Sequence, residues 1–576
     1  MKNRIVVTLF SLPFAGVGVW MAWLIGVELI EAAEMRSWYP VQAELVDAGT
    51  TRHTGSDSTT YEAHATYRYF YNGRYYSGTR VSIAKGADNI GDYQESMGVR
   101  LKRAKDSGEP ITVYVDPDQP TNAIIDPTLR WGMVAFKGVF GLVFGGVGFG
   151  LLYASFRASK EPDMTEPQFV DSPWLANEKW QTPTVLSGSK TAMIGTWAFA
   201  GFWNVISAPL PFLLYDEITR KENYAALIGL LFPLIGIGLL AWAIRHTAEW
   251  RRFGPAPLTL DPFPGSIGGH VGGTIDLNLP YDGNNRFQLT LSNIHSYYSG
   301  SGKNRSRKER AKWQDKLVAH AEPGGKGTRL AFRFDVPEGL RASDIEVDDS
   351  YYLWRLNLNA EIDGPDIDRD YDIPVFATGE RSSHLSEHAV RQARAEQSKL
   401  DDAAVIKTVR VSQSVHGKTL HYPAFRNALS SFSGMTFGSA FAGAGTFLIL
   451  EEEAKIFGGI FGLIGALIVV VSLYVLLNSL TVSQDGMSIK TVRRLLGIPV
   501  KRREMRRDGF DRFEKHSSMQ SQSGTKHTVH YKIRAVDRDG NRIVIGEGFK
   551  GDNEADAAIR FFERELGLRS RDDPLA

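Results

Sequence analysis

What most constrains this chain is a set of apolar runs long enough to cross a bilayer. Ile5 to Val27 is apolar apart from Thr8, Ser11 and small residues. At about 1.5 Å of rise per helical residue, such a run covers the ~30 Å hydrocarbon layer. Five more follow: Trp131 to Phe156, Ala192 to Tyr215, Tyr224 to Ile244, Phe432 to Leu450 and Ile456 to Leu477. The charged start, Lys2 and Arg4, also fits a signal peptide. The long apolar core followed by Glu28, Glu31 and Glu34, with no clean small-residue cleavage site, predicts an uncleaved anchor instead. Spans five and six are separated only by residues 451–455 and spans three and four by 216–223, so each pair is expected as a helical hairpin. Pro209 and Pro211 should kink span three.

Orientation follows from Lys and Arg near the span ends, which stay on the cytoplasmic side. Lys2 and Arg4 precede span one, Arg157 and Lys160 follow span two, Arg245, Arg251 and Arg252 follow span four, and a dense basic segment follows span six. These place both termini in the cytoplasm and residues 31–130 outside. The expected fold class is a polytopic α-helical membrane protein of six spans carrying three mostly-β domains. The layout is an anchor (1–30), an external β domain (31–130), a span (131–156), a linker (157–190), a transmembrane hairpin (191–245), a cytoplasmic β-sandwich (253–380), a helix and connector (381–430), a second hairpin (431–478) and a β domain closed by a helix (479–570).

The external segment reads as short β runs around YRYFYNGRYYSGTR, residues 67–80. Asn72-Gly73 suits the two positive φ angles of a type I′ hairpin, which would set Tyr71 opposite Arg74, Phe70 opposite Tyr75 and Tyr69 opposite Tyr76. Tyr67, Tyr69, Tyr71 and Tyr76 then share one face, with Phe70 and Tyr75 on the other. A domain of this size without disulfides needs large core side chains, which is the bland account of the rings; an exposed platform for glycans or peptides is the sharper one. Asp116, Asp118 and Asp126 sit in turn-forming steps and lack the pattern of a calcium loop. The aromatic-proline start (Trp38, Tyr39, Pro40), the YxYxxxG core (Tyr67, Tyr69, Gly73) and the closing VYVDPDQP resemble the bacterial domain of unknown function 3592 family, over residues about 1–155. That resemblance implies anchoring in the membrane on both sides and no established activity.

β signals return between Phe253 and Phe376, where several short alternating runs predict a sandwich. FxFDVP and a strand ending IPVF are similar to arrestin-like β-sandwiches, which implies binding to other proteins. Lys303, Arg305, Arg307, Lys308, Arg310 and Lys312 are expected in a hairpin loop, solvated or drawn to anionic lipid at about 1 kcal/mol per basic residue. Leu385 to Lys399 reads as a charged helix. The last module, Thr481 to Leu568, shows short strands, an Asp539-Gly540 turn and a final helix capped by Asp552 or Asn553. Ala555, Ile559, Phe562 and Leu566 form its buried stripe and Gly567 stops it. This arrangement is similar to pleckstrin-homology-like domains. Its entrance, Lys490 to Arg507, holds eight basic residues against Glu504, among them the candidate lipid contacts Lys501, Arg502, Arg503, Arg506 and Arg507.

The 576 residues carry a net charge of +1, which argues against a global nucleic-acid binder, and no cysteine, which removes disulfides, thiolate metal sites and thiol nucleophiles. No phosphate-binding, zinc-protease, serine-hydrolase or dinucleotide motif stands in its required context. His516, His527 and His530 read as surface residues, and Lys137 as snorkelling from the outer end of span two. No catalytic, metal or cofactor residues are assigned. Gly141-xxx-Gly145, Gly146-xxx-Gly150, Gly434-xxx-Gly438 and Gly458-xxx-Gly462 suit close helix packing within the bundle or in a homo-oligomer. The expectation is a non-enzymatic inner-membrane scaffold or sensor linking an external β domain to cytoplasmic modules that bind an unidentified protein partner, with membrane lipids in contact and no nucleic acid. The alternatives are a transporter or its accessory subunit, or an enzyme with an unrecognised site.

Overall fold

The structure, a computed structural model, describes residues 2–54, 59–157, 167–219, 227, 229–302, 305–325, 327–345, 347–414, 417–450 and 455–570. The chain divides into two compact units, residues 1–162 with 198–240, and 163–197 with 241–576. Among the described residues, five helical segments are long and apolar enough to cross a membrane: Val7–Ser37, Trp131–Phe156, Leu231–Phe253, Ala428–Ile449 and Lys455–Leu477.

In the first unit, α1 (Lys2–Glu34) passes through one 3-10 turn (Met35–Ser37) into β1 (Tyr39–Thr54), followed by β2 (Thr59–Tyr71), β3 (Arg74–Gly78), α2 (Tyr93–Ser107), β4 (Ile111–Val115), β5 (Ala123–Ile124) and α3 (Trp131–Arg157). The strands form one antiparallel sheet ordered β3-β2-β1-β4-β5. Helix α2 is absent from the all-strand expectation. Its charged sequence hides a narrow stripe, Gln94, Met97, Gly98 and Leu101, that repeats with helical spacing and is buried. Helices α1 and α3 meet through bare backbone, Gly18 against Gly141 and Gly145 and Ala15 against Gly148, while Gly146 and Gly150 have no close neighbour. Lys137 does not simply snorkel: its ammonium pairs with Glu28 of α1, and both side chains are largely covered. Thus the two helices share an ion pair that sequence spacing alone could not reveal.

Then come α4 (Pro167–Asp171), β6 (Thr184–Val185), α5 (Ser189–Ser207), α6 (Leu210–Thr219) and α7 (Leu231–Phe253). The run 192–215, expected as one span, is divided at residues 208–209, because Pro209 supplies no amide to continue α5 and Pro211 is tolerated only in the first turn of α6. Residues 220–226 and 228, which cover the end of the expected 216–223 connection and the start of the expected fourth span, lie outside the described residues, as do Lys160 and the acidic turn 451–454.

The second unit continues with β7 (Leu258–Leu260), β8 (Gly265–Ser266), β9 (His270–Leu277), β10 (Gln288–Ser299), β11 (Ser306–Val318), β12 (His320–Gly324), β13 (Gly327–Asp335), β14 (Ser350–Ala360), β15 (Ile367–Ile373) and β16 (Val375–Phe376). A four-stranded sheet, β11-β10-β14-β15, and a five-stranded sheet, β12-β13-β9-β7-β6, contribute to one core that includes Leu291, Leu356, Trp354, Ile275, Phe332 and Phe334. The alternation of β15, buried at every second residue, is what a strand covered on one face requires.

Helix α8 (Glu387–Thr408) runs nine residues past its expected end and is capped by Ser386, whose hydroxyl accepts the Ala389 amide at 3.2 Å. After it come β17 (Arg410–Ser414), β18 (Gly417–Tyr422), α9 (Ala428–Leu450), α10 (Lys455–Leu477), β19 (Asn478–Gln484), β20 (Ser488–Leu495), β21 (Ile498–Arg506), β22 (Phe510–Ser523), β23 (Lys526–Asp537), β24 (Arg542–Lys550) and α11 (Asp552–Leu566). The expected boundaries change here. Strands β17 and β18, assigned by sequence to a connector, complete the sheet β17-β18-β19-β20-β21, and Leu420 and Tyr422 sit in the same core as Phe549 and Phe562. The hairpin α9–α10 is therefore inserted between two neighbouring strands of one sheet. Helix α11 begins after Gly551 with no side-chain cap, correcting the expected role of Asp552 or Asn553; the Asn553 amide instead donates to Asp315 at 3.0 Å.

Candidate membrane-proximal site

The four last carbonyls of any α-helix lack intrahelical partners. At the end of α10 each finds one. The Asn478 side-chain amide donates to the carbonyls of Tyr474 and Val475, both at 3.0 Å. The amide of Phe425 donates to Leu476 at 2.7 Å, and that of Leu496 to Leu477 at 3.4 Å. Three chain segments thus converge on one helix end: the entry to α9, the start of β19 and the tip of the β20–β21 hairpin.

Beneath this cap lies a buried ionic knot. The carboxamide oxygen of Asn478 accepts from Arg426 at 3.0 Å and from Arg493 at 2.8 Å, and both guanidiniums hold Glu547 of β24. Burial pushes the Glu547 carboxyl up, but its bonds to Arg493 and the charges of Arg493, Arg426 and Lys532 outweigh this and leave it below its ordinary 4.5. The knot joins the entry to α9 and the exit from α10 to the C-terminal core.

Around the cap the surface is apolar. Leu496 is 69% exposed and Ile498 67%, with Phe425, Leu429 and Val500 also exposed. Leu496 and Phe425 both adopt positive φ, +51° and +63°, where bulky side chains are outliers. Lys501 and Arg502 on β21 are exposed and have no ion-pair partner among the described residues. Arg503 donates to the Arg542 carbonyl at 2.8 Å, Arg506 pairs with Asp508 at 2.7 Å, and Arg507 donates to the Gly567 carbonyl at 3.0 Å.

The earlier basic run is placed differently. Lys303 lies outside the described residues. Strand β11 begins at Ser306, so Arg307, Lys308, Arg310 and Lys312 are strand residues and not a loop. Arg305 pairs with Asp349 at 2.6 Å and lies over the Tyr298 ring at 4.2 Å, and Arg307 lies between Tyr298 and Tyr351 at 4.5 and 4.9 Å. Arg310 and Lys312 line a cleft of about 340 Å³ together with Ser517, Gln520 and Tyr531. His527 is not a surface residue: its side chain is 2% exposed and meets Glu309 of β11 at 2.9 Å. Docking of β23 on β11 covers it, a contact that local spacing does not encode.

In the N-terminal sheet the hairpin register sets Tyr71 opposite Arg74, Phe70 opposite Tyr75 and Tyr69 opposite Tyr76, around Asn72 and Gly73 at φ +46° and +81°. Tyr67 and Tyr69 are fully buried; Tyr67 donates to the carbonyls of Ala123 at 2.8 Å and Arg80 at 3.1 Å, and Tyr69 to that of Pro120 at 2.6 Å. Tyr71 and Tyr76 are half-buried at the core margin. Phe70 and Tyr75 form an exposed pair with centroids 5.0 Å apart. Asp116 accepts the amides of Asp118 and Gln119, a turn geometry. Among the described residues no group of three or more His, Asp or Glu side chains could hold a metal ion.

No curated protein matches the chain. Among solved structures it is similar to the crystal structure of Spo0M, sporulation control protein, from Bacillus subtilis, at 9% identity and a TM-score of 0.15, covering 44% of this chain and 89% of that one. So slight a likeness assigns no fold. Residues 41–130 match the model of the family described as Domain of unknown function (DUF3592). The match coincides with the sheet and helix that close between α1 and α3, and the chain carries a domain of the DUF3592 family.

Proposed function

We propose that this protein is a non-enzymatic, multi-pass scaffold or sensor of the bacterial inner membrane, linking the external DUF3592 domain to two cytoplasmic β modules that hold protein partners. The observation that carries this reading is the directness of the junctions. Helix α1 enters β1 through a single turn, and α10 enters β19 with no linker. Ion pairs latch the first domain to its helices, Arg80 to Glu31 of α1 and Arg130 to Asp88 in two bonds of 2.7 and 2.8 Å. A helix continuous with a sheet passes rotation or displacement straight to it, whereas a flexible linker would absorb it. The arrestin-like and pleckstrin-homology-like resemblances motivate protein partners for the cytoplasmic modules.

The topology counts the divided segment 192–215 as a sixth crossing, with the basic residues at 2, 4, 157, 160, 245, 251, 252 and 490–507 all inside. A cytoplasm-reporting fusion after Ala576 should be active and one within residues 50–120 inactive. The reverse result inverts the orientation. Purification of the tagged full chain from gently solubilised membranes should then retain a stoichiometric protein partner; solute flux through the purified chain in vesicles would establish transport instead.

A further inference from the structure

We propose that the β20–β21 hairpin is a lipid-docking wedge: Leu496 and Ile498 enter the acyl boundary of the leaflet in which α10 ends, and Lys501 and Arg502 behind them meet anionic headgroups. The inference rests on the reading of α10 as a membrane span. Three observations carry it. The first is position. Twenty-three helical residues extend about 34 Å, slightly more than the hydrocarbon layer, so the last turn of α10 lies at the headgroups. The Leu496 amide is bonded to that turn, which places the hairpin tip at the same depth.

The second is residue choice. Leu496-Gly497 has φ angles of +51° and +83°, almost those of Asn72-Gly73, +46° and +81°. At the DUF3592 hairpin the position holds asparagine, which tolerates this conformation. At 496 it holds a leucine that is 69% exposed, which costs backbone energy and leaves most of its side chain outside the packing of the described residues. An apolar side chain kept at a strained, exposed tip is explained if hydrocarbon receives it.

The third is charge. Lys501 lies three residues, about 10 Å of strand, behind Ile498, and both it and Arg502 lack internal partners among the described residues. That spacing lies within the range of a leaflet's surface potential. The basic residues before and along β11 do not share this placement, since Arg305 and Arg307 are engaged by Asp349 and tyrosines and Arg310 and Lys312 line a cleft against β22.

The chain has no cysteine, so one introduced thiol gives one label site. Full-length Leu496→Cys, Leu467→Cys and Val347→Cys, each carrying an environment-sensitive dye, are placed in phosphatidylcholine vesicles with or without phosphatidylglycerol, using brominated acyl chains as quencher. The α10 label at 467 should be quenched in both lipids, the label at 347 in neither, and the label at 496 in both, more strongly with phosphatidylglycerol. Lys501→Ala with Arg502→Ala should lower the phosphatidylglycerol-dependent docking ratio by roughly fivefold per residue. Leu496→Asn, which suits the turn, should keep the melting midpoint yet weaken quenching of a dye at Ile498→Cys. Quenching at 496 no greater than at 347, with 467 quenched, overturns the wedge, whether water or a protein covers the tip. Quenching indifferent to phosphatidylglycerol and to the double substitution overturns the headgroup contact. If 467 is not quenched, the span reading fails and the wedge with it.

Discussion

Tyr67 and Tyr75 stand on opposite faces of one hairpin, and the same residue type does different work at each. Tyr67 is in the core with its hydroxyl bonded to two carbonyls, whereas Tyr75 is 74% exposed. Tyr67→Phe strips both carbonyls of a donor and should cost about 1–2 kcal/mol in thermal or denaturant unfolding. Tyr75→Ser should stay within about 0.5 kcal/mol; a ligand whose binding is lost in that stable variant would assign a platform to the outer face alone. Glu547 presents the opposite economy, one carboxylate between two guanidiniums. Glu547→Gln leaves two buried positive charges without compensation, and about 3–5 kcal/mol of stability should disappear. Because its folded pKa is depressed, its contribution is complete above the ordinary 4.5 and is lost as pH falls through the lower folded value. Wild type should therefore lose stability on acidification below pH 4.5 more steeply than the variant, as read by melts across that range.

Helix pairs test the logic of small residues. Between α9 and α10, Gly445 faces the backbone of Gly462 and Gly465 that of Ala442, while Gly459 has open space around it. Gly445→Leu should force the helices apart and cost about 1–3 kcal/mol, whereas Gly459→Leu should be near neutral. The penalty is expected to spread into the C-terminal sheet, because the hairpin is inserted between paired strands β18 and β19. A lowered melting midpoint monitored in the C-terminal sheet would show that spread, and an unchanged one would mean that the sheet holds itself together without the helices.

Across the second unit, the two β modules dock through polar joints. His527 meets Glu309, Lys526 meets Asp368 at 2.9 Å and Asn553 meets Asp315, while α8 contributes Val390 to one core region and Val405 to another. At one joint, burial raises the carboxyls of Asp401 and Glu554 above their ordinary range, with Lys316 close to both and with Arg560 and Asp402 also acting on Asp401. A raised carboxyl pKa means that the folded state prefers the proton. This stabilisation is therefore present below the ordinary carboxylate pKa and is lost as pH rises through the raised value. Docking should tighten as pH falls through that raised value towards the ordinary carboxylate range, the reverse of the Glu547 effect below 4.5. Asp401→Asn should flatten that slope and raise the melting midpoint at pH 7 relative to wild type.

Apolar runs, the Asn-Gly turn and the amphipathic stripe of α11 are local patterns, and each was legible because a single segment carries its own physical requirement: hydrocarbon thickness, two positive φ angles, one buried face. Even the kink at Pro209 follows from one missing amide. By contrast, β18 is recognised as part of the C-terminal sheet only through its partner β19, more than fifty residues later and across a helical hairpin. Helix α2 shows only four buried positions amid charges, and His527 becomes internal only when β11 covers it. The cap on α10 belongs to the same class. Nothing in residues 425, 478 and 496 taken singly marks them as partners of one helix end, because hydrogen bonds to orphan carbonyls are satisfied by whichever segments the fold brings there. Local sequence determined which segments are apolar, extended or turned; tertiary packing alone decided which distant segments close one another's unsatisfied groups.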